Sequence, residues 1–142
     1  MSELIRVDPR WPGAWYALKG FLADALEKGN GGKDWSLDDI RAAAIEGHVA
    51  LWGLVKNNGI YGAGVTTVTQ YPRRRVLEVL ALGCEKDTEE LWRPLLDHLR
   101  GLAQSLGCSA IIGTGRPGWG RKLGAAERRI FEIEIHNAGS AA

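Results

Sequence analysis

The chain has 142 residues, of which 45% are hydrophobic and 25% are charged, and its formal net charge is +1 at pH 7. This is the size and composition of one ordinary globular domain, which excludes intrinsically disordered, coiled-coil and membrane-spanning proteins as classes. A balanced charge argues against a dedicated nucleic-acid binder, because such proteins usually carry a clear excess of Lys and Arg. No signal peptide is recognisable and there are only two cysteines, so we expect reduced thiols in a cytoplasmic setting.

The first half of the chain predicts one strand, two helices and a β-hairpin. Large apolar residues recur every three or four positions in the first helix, so they share one face. Ser36 is the expected N-cap of the second helix, because its hydroxyl can accept a backbone N–H. Asn57-Asn58-Gly59 is a strong hairpin signal between two apolar segments. The predicted segments are a strand at 3–7, helices at 13–28 and 36–47, and strands at 48–56 and 60–70.

The second half predicts three more strands, a long helix and one helical turn. Nearly every position of 75–83 is apolar, the pattern of a strand buried on both faces. Asp87 and Glu90 fit a capping box for the long helix, whereas Pro94 indicates either a kink or a later start. The final segment alternates apolar and polar residues. The predicted segments are strands at 75–83, 109–113 and 128–136, a helix at 88–106 and a helical turn at 119–123.

This order, β-α-α-β-β-β-α-β-α-β, predicts an α/β (α+β) fold. We expect a mixed, mostly antiparallel six-stranded sheet flanked by about four helices. One connection, from strand 75–83 through the long helix to strand 109–113, is predicted to be a right-handed parallel crossover. The chain is expected to form a single domain over residues 1–136, followed by a C-terminal tail at 137–142.

Two runs of sequence carry a family resemblance when combined with this order. Leu102 to Ile112 has the form of a helix end, a loop with Gly107 and a strand, and a run from Gly115 to Ala125 follows it. Together they resemble the GNAT-type N-acetyltransferase fold across nearly the whole chain. The second run is also similar to a Gly-Arg-x-Gly-Trp-x-Arg pattern in small GNAT-like proteins encoded by tailed phages.

The resemblance implies where acetyl-CoA would bind. In that family the cofactor lies in a gap between the fourth and fifth strands, here 75–83 and 109–113. Leu80 and Leu82 would offer backbone groups to the pantetheine arm, with Gly83 beside them. Glu78 would be the nearest carboxylate able to deprotonate an attacking amine. Glu78 also has an ordinary interpretation, in which it faces solvent or pairs with Arg75 or another arginine across the sheet.

The sequence departs from the family pattern in the loop that would hold the cofactor's pyrophosphate. Residues 83–90 contain one glycine and four carboxylates, where the family has a glycine-rich loop. A pyrophosphate needs backbone N–H groups without opposing charge, and Asp87 as an N-cap would occupy one of them. The tyrosine that often acts as general acid in the family is also missing, because no tyrosine follows Tyr71.

Four residues of the second run are candidates for contact with a partner or ligand: Arg116, Gly118, Trp119 and Arg121. An arginine beside a tryptophan can stack on a ligand, although Trp119 would equally serve to plug the end of the sheet.

Two functions follow from these observations. The favoured interpretation is a non-catalytic structural or interaction module without a cofactor, such as a phage virion-associated or accessory protein, with protein partners or self-assembly. It would act in the host cytoplasm or in a phage particle, without membrane contact, and nucleic-acid binding is not expected. The alternative is an acetyl-CoA-dependent N-acetyltransferase that transfers the acetyl group directly to an amine. No metal site is expected.

Overall fold

The structure is a computed structural model, which describes residues 2–29, 31–86, 91–113, 124 and 132–135. Within these residues five strands form one sheet, in the order β1-β2-β3-β4-β5, accompanied by three α-helices and one 3-10 turn at Gly31–Lys33. The strands are β1 (Ser2–Val7), β2 (Ala50–Lys56), β3 (Gly59–Gln70), β4 (Arg75–Cys84) and β5 (Ala110–Gly113). The helices are α1 (Pro12–Lys28), α2 (Leu37–Ile45) and α3 (Trp92–Ser105).

The sheet is mixed, as the sequence predicts. The strands β1 to β4 pair antiparallel with their neighbours, and β4 pairs parallel with β5 through the α3 crossover. The prediction of six strands and about four helices is partly wrong, since the described residues hold five strands and three α-helices. The helical turn predicted at 119–123 and the tail at 137–142 lie outside the described residues.

The predicted last strand is not formed where the structure describes it. Residues 132–135 have no regular secondary structure, and Ile133 and Ile135 are 73% and 78% exposed. Alternation of apolar and polar residues stabilises a strand only when a neighbouring layer covers its apolar face. Neither isoleucine is covered in this way, so the pattern alone does not produce a strand here.

The helices pack on opposite faces of the sheet. The helices α1 and α2 cover a core that includes Leu18 and Ile40, together with Ala63 and Val65 of β3. The other core contains Leu95 of α3, Leu54 of β2 and Tyr61 of β3. Burial of these apolar side chains is the main stabilising contribution to such a layered fold. No helix in the described part of the chain is long and apolar enough to cross a membrane.

Local sequence signals determine two of the connections. Asn57 and Asn58 both have positive φ, 51° and 63°, which is the type I′ geometry that matches the twist of the β2–β3 hairpin. At α2, Ser36 accepts a hydrogen bond from the Asp39 amide and donates its own amide to the Asp39 carboxylate, a complete capping box. These hydrogen bonds hold the pKa of Asp39 below its ordinary value of 3.8.

The helix α3 begins later than its predicted capping signal. Its N-cap is Leu91, which makes no side-chain capping hydrogen bond, and the predicted capping box of Asp87 and Glu90 lies outside the described residues. Pro94 becomes the third residue of the helix, where its missing N–H has no intrahelical partner to lose. The later start that Pro94 indicates in the sequence is therefore confirmed.

The close approach of α1 to β4 requires a glycine. A Cβ atom at Gly83 would overlap the carbonyl oxygen of Phe21 and lie 3.4 Å from the Cβ of Ala25. The carbonyl belongs to the helix backbone, so it cannot rotate away. Gly83 therefore fixes the distance between α1 and the end of β4.

We predict that Gly83→Ala lowers the free energy of unfolding by about 1–3 kcal/mol, because α1 must shift away from the sheet. Gly20→Ala is the matched control. Gly20 lies in α1, and a Cβ atom added there would have no neighbour within 4 Å, so alanine is expected to add about 1 kcal/mol through helix propensity. Urea unfolding of both variants measures the difference. Equal stabilities of the two variants would contradict the close packing.

Candidate functional site

The candidate site, called the opening here, is the β5-facing edge of β4 beyond Val79, where the described residues form no pair with it. The strand β4 pairs with β3 along its whole length, from Arg75 to Cys84. Its pairing with β5 covers only Val76 to Val79, opposite Ala110 to Gly113. Beyond Val79, no described residue forms a strand against the β5-facing edge of β4. Alternate backbone N–H and C=O groups point to that edge and can hydrogen-bond an extended ligand.

A β-bulge lies next to the last described pair between β4 and β5. Val79 is opposite Thr66 of β3, and Ala81 is opposite the next residue, Val65, so Leu80 has no partner in the register. A bulge raises the local twist and disrupts the ladder at the extra residue. The bulge at Leu80 therefore increases the twist of β4 next to its last described pair with β5. It also leaves the backbone groups of Leu80 outside the regular β3–β4 ladder.

Leu80 and Leu82, the predicted contacts for pantetheine, lie on this edge and are half-buried. Leu80 packs against the core under α1, whereas Leu82 packs against the core under α3. They therefore place apolar side chains on both sides of the opening. Gly83 has no room for a side chain because the backbone of α1 lies against it. Its predicted contact with a cofactor stays a prediction.

The α3-side wall of the opening is a row of residues across three strands. Register places Trp52 opposite Gly64, and Gly64 opposite Leu82. A Cβ at Gly64 would lie 3.2 Å from Leu82 Cδ1, so glycine leaves room for the leucine. The Trp52 indole N–H donates to Thr66 Oγ1 at 2.8 Å, and the Arg6 guanidinium lies 5.6 Å from the ring centre. The sequence alone does not tell which face of the sheet Trp52 occupies. The register shows that its indole packs along the sheet and binds Thr66, which is opposite Val79 beside the bulge.

Glu78, the predicted base, lies two residues before the bulge. It is half-buried, and its Oε2 accepts a hydrogen bond from Thr69 Oγ1 at 3.4 Å. The alternative of a pair with Arg75 is not observed, because the Arg75 guanidinium donates to the backbone oxygen of Leu106 at 2.8 Å. Glu78 lies within the paired part of β4, opposite Ile112 of β5, and no cation of the described residues forms an ion pair with it.

The N-terminal end of α3 is where the resemblance to GNAT-type folds places a cofactor pyrophosphate. The first turn of α3 contains no acidic residue and contains Arg93. Pro94 removes one backbone donor from that turn. Three of the four carboxylates of the loop, at 87–90, lie outside the described residues. The first helical turn itself therefore presents no negative side chain to an anion.

The second candidate cluster cannot be placed. Arg116, Gly118, Trp119 and Arg121 all lie outside the described residues, so their contact with a partner or ligand stays a prediction. Among the residues that are described, no group of three or more His, Cys, Asp and Glu side chains is arranged to hold a metal ion.

Solved structures with the same fold were found across almost the whole chain. An aminoglycoside acetyltransferase, meta-AAC0020 from an uncultured soil metagenomic sample, has a TM-score of 0.70 at 10% identity, with 96% of both chains covered. Aminoglycoside N-acetyltransferase AAC(6')-Iy in complex with CoA has a TM-score of 0.67 at 12% identity, covering 94% of this chain and 95% of that one. A ribosomal-protein-alanine N-acetyltransferase from Brucella melitensis biovar Abortus 2308 has a TM-score of 0.65 at 16% identity, covering 97% and 100%.

These similarities show that the chain has the GNAT fold. Searches of protein-family models and of curated protein sequences found no match. The acetyltransferase neighbours agree with the predicted resemblance at the level of the fold. They give no support to an association with phages or virions.

Proposed function

We propose that the protein is an acyltransferase that moves the acetyl group of acetyl-CoA directly to a primary amine. The observation that carries this proposal is the β5-facing edge of β4 beyond Val79, which pairs with no described residue and begins at the bulge at Leu80. Apolar side chains lie on both sides of this edge. A polyamide chain such as pantetheine can add to this edge as a strand would.

The described residues fit such a cofactor. Residues 80–83 supply the backbone edge, and Leu80 and Leu82 supply apolar contact for the arm. One of the structural neighbours, AAC(6')-Iy, is in complex with CoA. Acetyl-CoA supplies an activated acetyl thioester. In this proposal, a backbone N–H at the bulge donates to the oxyanion that forms when this carbonyl is attacked.

Glu78 is the general base in this proposal. It accepts, directly or through one water molecule, the proton that the amine loses as its nitrogen bonds to the acetyl carbon and the carbon–sulfur bond breaks. No tyrosine follows Tyr71 to protonate the departing sulfur. A thiolate is a weak enough base to leave without a side-chain acid, as the cysteine pKa of about 8.5 illustrates, and it takes its proton from water.

The non-catalytic interpretation rests on the acidic residues at 85–90 and predicts that acetyl-CoA does not bind. Like charges about 4 Å apart repel by roughly 4 kcal/mol near a protein surface. That repulsion acts on the pyrophosphate, whereas the strand edge acts on the pantetheine arm. A binding measurement decides which of the two contributions is larger.

We expect acetyl-CoA to raise the melting temperature. At 100 times its dissociation constant, a ligand stabilises the folded state by about 2.7 kcal/mol, or roughly 5–10 °C for a chain of this length. Adenosine 3',5'-bisphosphate carries the nucleotide without the pantetheine arm and is expected to give a much smaller rise. No rise with millimolar acetyl-CoA would contradict the proposal and leave the non-catalytic interpretation.

We predict that Glu78→Gln lowers kcat by about 10²–10⁴-fold and leaves acetyl-CoA affinity unchanged, because the amide cannot accept the proton. Release of the CoA thiol measures the rate. The two acceptors, tested separately, are sisomicin, which is bound in the meta-AAC0020 structure, and an alanine-terminated peptide, chosen after the ribosomal-protein-alanine N-acetyltransferase. Glu3→Gln is the matched control, since Glu3 is an exposed strand glutamate on β1, at the opposite edge of the sheet. A Glu78→Gln variant as active as this control would remove Glu78 from the mechanism.

A further inference from the structure

We propose that Thr69 is the positioning residue for the Glu78 carboxylate, an inference that rests on the proposed function. The Thr69 hydroxyl donates to Glu78 Oε2 at 3.4 Å, and both side chains are half-buried. Within the described residues, no other hydrogen bond or ion pair reaches the Glu78 side chain. Thr69 is therefore the contact that selects one orientation of this carboxylate.

The strand register explains how the two side chains meet. Glu78 is directly opposite Thr67, and Thr69 is opposite Val76, so Thr69 and Glu78 are diagonal neighbours on the same face. Val76 is fully buried, which fixes the backbone at the Thr69 end of this diagonal. A β-branched side chain such as threonine also has few rotamers in a strand. The hydroxyl is thus held at one position relative to the carboxylate.

The residue closest to Glu78 in the register does not bind it. Thr67 donates its hydroxyl to the backbone oxygen of His48 at 2.9 Å and so ties β3 to the turn after α2. A threonine has one hydroxyl proton, which this bond uses. Two threonines on the same face and the same strand therefore have different roles, one structural and one directed at Glu78.

The position of this carboxylate matters because proton transfer depends on distance. A base must come within about 2.6–3.2 Å of the proton donor or of one bridging water. A glutamate has several rotatable bonds, and without a partner it spreads over several rotamers. The Thr69 hydroxyl donates to Oε2, and Oε1 is the oxygen that accepts the proton of the amine in this proposal. Catalytic hydrogen bonds are often long before the substrate binds, which is consistent with 3.4 Å here.

The test compares Thr69→Val, Thr69→Ser and Thr67→Val with the wild type. Thr69→Val keeps the shape and removes the donor; we expect kcat to fall about tenfold with KM for acetyl-CoA unchanged. Thr69→Ser restores the donor and is expected to recover most of the rate. Thr67→Val removes a shorter hydrogen bond from the same strand face and is expected to keep the wild-type kcat. Thiol release with sisomicin and with the alanine-terminated peptide is the assay.

A second readout does not require turnover. The side-chain carboxylate signal of Glu78 in a ¹³C NMR spectrum is expected to move in Thr69→Val, and to keep its wild-type position in Thr67→Val. Failure of the two proposals is distinguishable. An inactive wild-type protein overturns the proposed function, whereas an active one in which Thr69→Val changes neither kcat nor the Glu78 signal overturns only the role of Thr69. A rate loss that serine does not recover would also overturn it, since the residue would then be structural.

Discussion

The candidate site depends on how β4 is held at its end. Among the described residues, β4 pairs with β5 over four positions, while it remains paired with β3 to its end. The last of these four pairs lies next to the bulge at Leu80, which adds twist to β4 at that point. On the α1 side, the close contact at Gly83 holds the end of β4 against the helix. β4 is thereby fixed by β3 and by α1, and beyond Val79 no described residue pairs with its β5-facing edge.

Much of the framework is predictable because local chemistry determines it. Asn57-Asn58 specifies the hairpin through its positive φ values, and Ser36 caps α2 as expected. The bulge at Leu80 is not predictable from the sequence. Residues 75–83 are apolar at nearly every position, so no alternation of apolar and polar residues is present that an extra residue would interrupt. The start of α3 is ambiguous in the sequence, because Asp87 favours an earlier start than Pro94 does. The described helix begins at Trp92.

Part of the candidate site is likewise predictable from the sequence and part is not. The resemblance places Glu78, Leu80 and Leu82 on the fourth strand, and the structure has all three on β4, with Glu78 among the pairs with β5 and the two leucines beyond them. The sequence alone does not reveal Thr69, because its relation to Glu78 depends on the register across the β3–β4 pair. A one-residue shift in that register would move the threonine to the other face of the sheet. No pattern within a single strand carries that information.

The most direct test of this account is amide hydrogen exchange with and without acetyl-CoA. If pantetheine adds to the open edge of β4, the amides of residues 80–83 that point to β5 will exchange more slowly when the cofactor is present. The outer edge of β1 is an internal comparison, because it is the other edge of the same sheet and should exchange at an unchanged rate. Equal exchange at 80–83 in both conditions, at saturating acetyl-CoA, would contradict the central claim.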